Sequence, residues 1–146
     1  YAVMHRDFGF VAFINLAVSG HAAFFCFWTG VDFQGQGFAT AAGRLACRHA
    51  AACGVPLILT SAYKDNHRSV RALKRLGFGE LAIRALPPDH ERIFFSMVDT
   101  SATQTYDCDA ELIAYYRREE LPMEFTMPGQ DGAPVDCDTN LAGSME

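Results

Sequence analysis

Two glycines with one residue between them, Gly35 and Gly37, lie within the stretch "DFQGQGFAT" (residues 32–40), each preceded by a glutamine. Apolar, aromatic-rich sequence precedes them and an alanine-rich stretch follows. Strand behind and helix ahead make this an anion site. The first backbone N–H groups of a helix lack intrahelical partners, and the helix dipole adds partial positive charge to them. Glycine removes the Cβ that would keep a phosphate away and permits positive φ.

Two common phosphate loops do not fit. A Walker loop requires Lys-Ser/Thr after its last glycine, and Phe38-Ala39 stands there. A dinucleotide fingerprint requires a third glycine and an acid after the next strand. Position 40 is threonine, and the next apolar run ends in Tyr63-Lys64.

The elements that must position this loop follow from periodicity. Residues 1–31 read as two strands joined at Ser19-Gly20, the second rich in aromatics from Ala22 to Trp28. From Phe38 the period becomes helical, with Phe38, Ala42, Leu45, His49 and Ala52 as the expected inner stripe, and Gly54 and Pro56 supplying the stop. "VPLILTSAY" reads as a strand covered on both faces. Asn66 is a good N-cap for a second helix with Val70, Leu73 and Leu76 inside and Gly77 at its end. "FGELAIRAL" and "RIFFSMVD" read as two more strands around Pro87-Pro88. The layout is mixed α/β.

"QGQGFA" (Gln34–Ala39) matches the Gln/Arg-x-x-Gly-x-Gly/Ala loop of the GNAT superfamily of acyl-CoA-dependent N-acetyltransferases. "NHRSVRALKRLGF" (Asn66–Phe78) resembles the superfamily's second signature, an Asn-initiated helix ending in Leu-Gly-Phe. One helix and one strand separate the two, as in the family. "FCFWTGVDFQGQGFAT" and Arg68-Ser69 give a flavour similar to the RimJ/RimL type, which acetylates ribosomal-protein N-termini. The resemblance spans roughly residues 1–98. It implies a central twisted sheet with helices on both faces, and acetyl-CoA as acetyl donor. The amides of Gln34, Gly35, Gln36, Gly37 and Ala39 would cradle the coenzyme A pyrophosphate, with Phe38 and Thr40 completing the helix's first turn. Trp28 and Val31 would flank the loop from the strand, whose backbone would pair with the pantetheine arm. Asn66 and Ser69 would lie near the arm's far end, though a helix cap alone explains Asn66.

Three departures from the family matter. No acid occurs between His21 and Gly30, where the family commonly carries a general base. Leu73 stands where many relatives have a tyrosine. Acyl transfer to an amine requires a neutral nucleophile and acceptors for its protons, leaving Ser69, Tyr63 and His21 as the catalytic candidates, with His67 or a chain of waters beside them. The family also has a strand and one or two helices before the hairpin, forming much of the acceptor groove. Here that N-terminal layer is missing, and upstream residues, a homodimer or partner chain, or the tail would have to fill its place. The chain opens at Tyr1 without a methionine, which suggests a fragment or a processed chain.

Charge divides the chain. Residues 1–98 hold ten Lys/Arg against six Asp/Glu, whereas residues 99–146 hold two against eleven. Residues 1–99 are thus expected to form the acyl-CoA-binding domain, and 100–146 an acidic extension with one helix near 110–120 and a mobile remainder. The basic flank Arg68–Arg75 reads as a solvated helix face, so nucleic acid is not an expected partner. Five widely spaced cysteines (Cys26, Cys47, Cys53, Cys108, Cys137) without a C-x-x-C pair fit a reduced, cytoplasmic setting and no metal site. No apolar run reaches membrane-spanning length, and no secretory leader is expected. The functional expectation is acetyl transfer to an amine, a small molecule or a protein N-terminus, through direct transfer in a ternary complex with a strand amide stabilising the oxyanion. The rival is a non-catalytic acyl-CoA-binding or interaction module on the same scaffold.

Overall fold

The computed structural model describes residues 1–129 and Pro134. Its chain order is β1 (Ala2–His5), β2 (Gly9–Ser19), β3 (Ala22–Thr29), α1 (Phe38–Ala52), β4 (Leu57–Tyr63), α2 (His67–Leu76), β5 (Gly79–Glu80), β6 (Arg84–Ala85), β7 (Arg92–Val98), α3 (Cys108–Arg118) and β8 (Phe125–Thr126). A six-stranded sheet runs β1-β2-β3-β4-β7-β5, and β6 and β8 form a separate pair. All neighbours in the large sheet are antiparallel except β3 and β4.

Alternation along the strands divides the core between two faces. Ala23 and Phe25 of β3, Ile58 and Ala62 of β4 and Phe95 of β7 pack with α1 and α2 on one face. Ala22, Leu57, Leu59 and Phe94 point the other way, against Leu112, Ile113, Tyr115 and Tyr116 of α3, against Ala85 and Phe125 of the small sheet and against Ile83 just before it. Helices therefore cover both faces. Phe25, Phe94 and Phe95 have no exposed surface, each contributing about 2–3 kcal/mol through burial.

Four details differ from the reading of the sequence. Residues 1–31 form three strands, because Arg6–Phe8 turns and Gly9 takes φ of 70°. The α1 stripe is rotated: Gly43, Ala46, Cys47 and Ala50 are buried, and Leu45 is 60% exposed. Small residues win the inward face because the helix lies close to the sheet. A Cβ on Gly43 would stand 3.0 Å from Phe25 Cζ and 3.2 Å from Leu76 Cδ1. The stretch "FGELAIRAL" is not one strand, since β5 joins the large sheet and β6 pairs with β8. Finally, the core has no seam at residue 99. The helix expected at 110–120 is α3, and it covers the sheet face left bare by the first 98 residues. The expected mobile stretch beyond Gly129 lies outside the described residues.

Candidate active site

The parallel pair β3/β4 is brief. Only Ala22–Phe24 and Leu57–Leu59 are in register, after which the two strands part toward their C-terminal ends. Thr60, buried at this fork, donates from Oγ1 to the Phe25 carbonyl at 2.7 Å. Gly30 N–H bonds to Val11 O on the β2 side, so even-numbered β3 residues pair with β2. The N–H and C=O groups of Phe27 and Thr29 consequently open onto the cleft between β3 and β4.

The glycine loop closes the mouth of this cleft. Val31–Phe33 forms a single 3-10 turn, and Gly37 caps α1 with φ of 85° and ψ of 0°. Gly35 also has positive φ, at 78°. A Cβ on either glycine would meet nothing within 4 Å, so the space above both is open. The Gln34 amide is not available, because the 3-10 turn spends it on Val31 O at 3.3 Å. The first intrahelical bond runs from Ala41 N–H to Gly37 O. Between them, the amides of Gly35, Gln36, Gly37, Phe38, Ala39 and Thr40 have no partner among the described residues. The run of free amides thus starts one residue beyond the expected cradle. Gln34 acts through its side chain, whose Oε1 accepts from Arg68 Nη1 at 2.5 Å, tying α2 to the loop and bringing a guanidinium to its edge. Gln36 Nε2 donates to Asp32 O at 3.0 Å.

The remaining expected residues separate into near and far. Asn66 begins α2 on the other side of the cleft, and its Oδ1 accepts from Ser69 N–H at 3.1 Å. Val31 is 80% exposed beside the loop. Trp28 projects to the face away from α1 and stacks on Phe10 at 6.0 Å. Tyr63 ends β4, with its hydroxyl accepting from Arg92 Nη2 at 3.1 Å and the guanidinium 4.7 Å above its ring. His21 is not brought to the site. It precedes β3, and eight strand residues place it roughly 25 Å from the loop. There its ring stacks on Tyr106 and its Nε2 lies 3.0 Å from Glu111 Oε2.

The α3 side of the fork holds residues that the sequence alone did not single out. Arg92 Nη1 donates to Ser61 Oγ at 3.3 Å. Burial pushes the Tyr116 phenol up to about 12, with Arg92 and Ser61 among the groups around it that pull the other way. Burial also raises the Cys26 thiol, and Arg92 opposes the rise. An open cavity of about 230 Å³ lies here, lined by Ala17, Phe24, Cys26, Tyr115, Tyr116 and Glu119 among others. Adjacent tyrosines in a helix carry no spacing signal, so only the packing of α3 discloses this group.

Cys26, Cys47, Cys53 and Cys108 are free, and Cys137 lies outside the described residues. Among the described residues no cluster could hold a metal ion, and no helix is long and apolar enough to cross a membrane.

The family model for the acetyltransferase (GNAT) domain matches residues 1–79. Among solved structures, the chain is similar to the ribosomal-protein-S5-alanine acetyltransferase from Vibrio fischeri, at 16% identity and a TM-score of 0.58, covering 66% of this chain and 58% of that one. It is similar to the ribosomal-protein-S18-alanine N-acetyltransferase from Escherichia coli at 19% identity and a TM-score of 0.57, covering 70% of each chain. It is also similar to the microcin C7 self immunity acetyltransferase MccE, solved with acetyl-CoA and AMP, at 20% identity and a TM-score of 0.54, covering 62% and 55%. The chain thus spans less than two thirds of the first and third of these. At such identities the likeness is one of fold. The search of curated proteins finds no match.

Proposed function

Because the chain belongs to the GNAT acetyltransferase family, we propose that it transfers an acetyl group from acetyl-CoA to an amine. The observation that carries this reading is the run of six amides, Gly35 to Thr40, at the mouth of the β3/β4 cleft, none with a partner among the described residues. The open space above Gly35 and Gly37 suits a pyrophosphate, and Arg68 adds positive charge at its rim. The exposed main-chain groups of Phe27 and Thr29 suit the amides of a pantetheine arm, as an added strand would. Acetyl-CoA supplies an activated acyl group as a thioester.

What the chain's own residues contribute is position and proton management. Phe27 N–H is the strand donor available for a developing oxyanion. Ser69 at the start of α2 and Tyr63 at the end of β4 remain candidates on the cleft side, whereas His21 is too distant to act. The finer reading is that the acceptor is a protein N-terminus, supported by the RimJ/RimL-like sequence flavour and by the fold shared with the two alanine acetyltransferases. Reduced thiols and the absence of a spanning helix among the described residues suit a cytoplasmic enzyme.

The absence of a carboxylate on β3 favours a second reading, a binding module that retains the cradle without turnover. Calorimetry with acetyl-CoA, followed by thiol release in the presence of an amine panel, tests both. Binding with amine-dependent thiol release supports the enzyme. Binding without release supports the module. No binding refutes both.

A further inference from the structure

We propose that the open cavity beneath α3 is the acceptor site, and that it takes a monocationic primary amine on an apolar body, its ammonium held by Glu119. The inference rests on the acetyl-transfer reading above.

Its placement is the first argument. Cys26, on the cavity wall, lies two residues beyond Phe24, the last β3 residue paired with β4. Tyr116, also on the wall, has Ser61 of β4 beside it. The cavity therefore lies on the α3 side of the fork, walled by β3 and by a helix that packs on β4. Its floor is the β2–β3 pair, with Asn15 opposite Cys26 and Ala17 opposite Phe24, next to the gap where an arm lying between β3 and β4 would present its end. The glycine loop follows the same strand, which runs about 13 Å from Cys26 to Gly30, the residue that opens the 3-10 turn before the loop.

Lining chemistry is the second argument. Phe24, Ala17, Leu121 and the faces of two tyrosines make the cavity largely apolar. Glu119 is the only ionisable carboxylate among its lining residues, and no Lys or Arg is among them. One exposed carboxylate at the rim of an apolar cavity matches one ammonium. A polyamine would bring further charges without partners here.

Glu119 is also held in a position that local electrostatics disfavours. It is the C-cap of α3, where the helix dipole repels a carboxylate. The reversal that fixes it is built by Glu120 N–H to Arg117 O at 3.1 Å and Leu121 N–H to Tyr116 O at 2.9 Å. It forces the non-glycine Glu120 to φ of 52°. The same reversal turns Leu121 back onto the cavity.

In the reaction the bound ammonium first gives one proton to Glu119, which passes it to solvent. The neutral nitrogen bonds to the acetyl carbonyl carbon, and the carbon–sulfur bond breaks. The sulfur leaves as a thiolate and recovers one proton as the nitrogen loses its second, so each turnover releases one proton. Tyr116, beside Ser61, is the hydroxyl donor at the sulfur side of the cavity.

The test uses the full chain, acetyl-CoA, and three probes: 2-phenylethylamine, an alanine-initiated peptide and spermidine. Both monoamines should be acetylated with kcat/KM at least tenfold above spermidine, and the better of the two identifies the acceptor as free amine or chain terminus. Glu119→Gln should raise the KM for the preferred monoamine about tenfold or more while leaving acetyl-CoA affinity unchanged. Ala17→Phe, which fills the cavity from β2, should abolish turnover with acetyl-CoA affinity retained. Parent-like amine kinetics in both variants, or a preference for spermidine, would overturn the acceptor site while leaving acetyl transfer standing. A parent that binds acetyl-CoA but acetylates none of the probes also overturns it. A parent that does not bind acetyl-CoA overturns the acetyl-transfer reading and this one together.

Discussion

Replacing Gly37 by alanine separates what the glycine loop does for binding from what it does for stability. The added Cβ meets no protein atom within 4 Å, so there is no internal clash. The penalty comes from φ of 85°, about 1–2 kcal/mol for an L-residue in the left-handed region. Either the protein bears that cost, or the loop relaxes and the neighbouring amides turn away. Charge-assisted hydrogen bonds contribute roughly 1.5–3 kcal/mol each, so turning two amides away loses roughly 3–6 kcal/mol, a hundredfold or more in Kd. Gly43→Ala is the control. Its Cβ would press on Phe25 and Leu76, costing about 1–3 kcal/mol by overpacking without touching the cradle. Calorimetric titration with coenzyme A and thermal melts should therefore give opposite rankings: Gly37→Ala weakest in binding, Gly43→Ala weakened in stability with binding retained. If Gly37→Ala bound coenzyme A as the parent does, the loop would not be the pyrophosphate site.

Three further outcomes are expected. Tyr116 and Cys47 are acids that burial raises in the native state, from 10.0 to about 12 and from 9.0 to about 11. The stability each contributes is present below its unfolded pKa and lost as pH rises through the folded one, about 3 kcal/mol apiece; melts between pH 9 and 12 should fall steeply, and less so in Tyr116→Phe and Cys47→Ala. Glu120→Gly should relieve the left-handed strain and raise stability by about 1 kcal/mol, read from denaturant midpoints at constant m. Asn66→Ala should cost about 1 kcal/mol through the lost cap, and Asn66→Ser should restore it; if serine restores stability but coenzyme A binding stays impaired, Asn66 contacts the ligand as well.

Legibility in the sequence followed the range of the interactions. The loop, the Asn66 cap and the Gly77 stop are local chemistry, and each stands where the residue pattern put it. The rotation of α1 was hidden because Leu45 and Ala46 are adjacent, and only the contact of Gly43 with Phe25 decides which faces the sheet. That the Gln34 amide bonds within a 3-10 turn, to Val31 O, is a detail no signature encodes. Residues 100–146 read as an acidic extension with one helix near 110–120, because from residue 99 onward two Lys/Arg stand against eleven Asp/Glu. The apolar positions Leu112, Ile113, Tyr115 and Tyr116 close the core against strands nearly a hundred residues earlier, a long-range pairing that periodicity cannot see.

The parting of β3 from β4 has a consequence for the ligand-free protein. A sheet normally exposes unpaired main chain only at its two borders, where such rows template further strands. Here a third row lies in the middle, with the Arg92 guanidinium beside it on Ser61 and Tyr63. A ligand arm that fills the gap would act as an interior strand, joining the β1-β2-β3 half of the sheet to the β4-β7-β5 half. Donor binding would then be a step of folding as much as of catalysis. Coenzyme A at a hundredfold over its Kd would add about 2.7 kcal/mol, and the slowing of amide exchange would concentrate at Phe27 and Thr29.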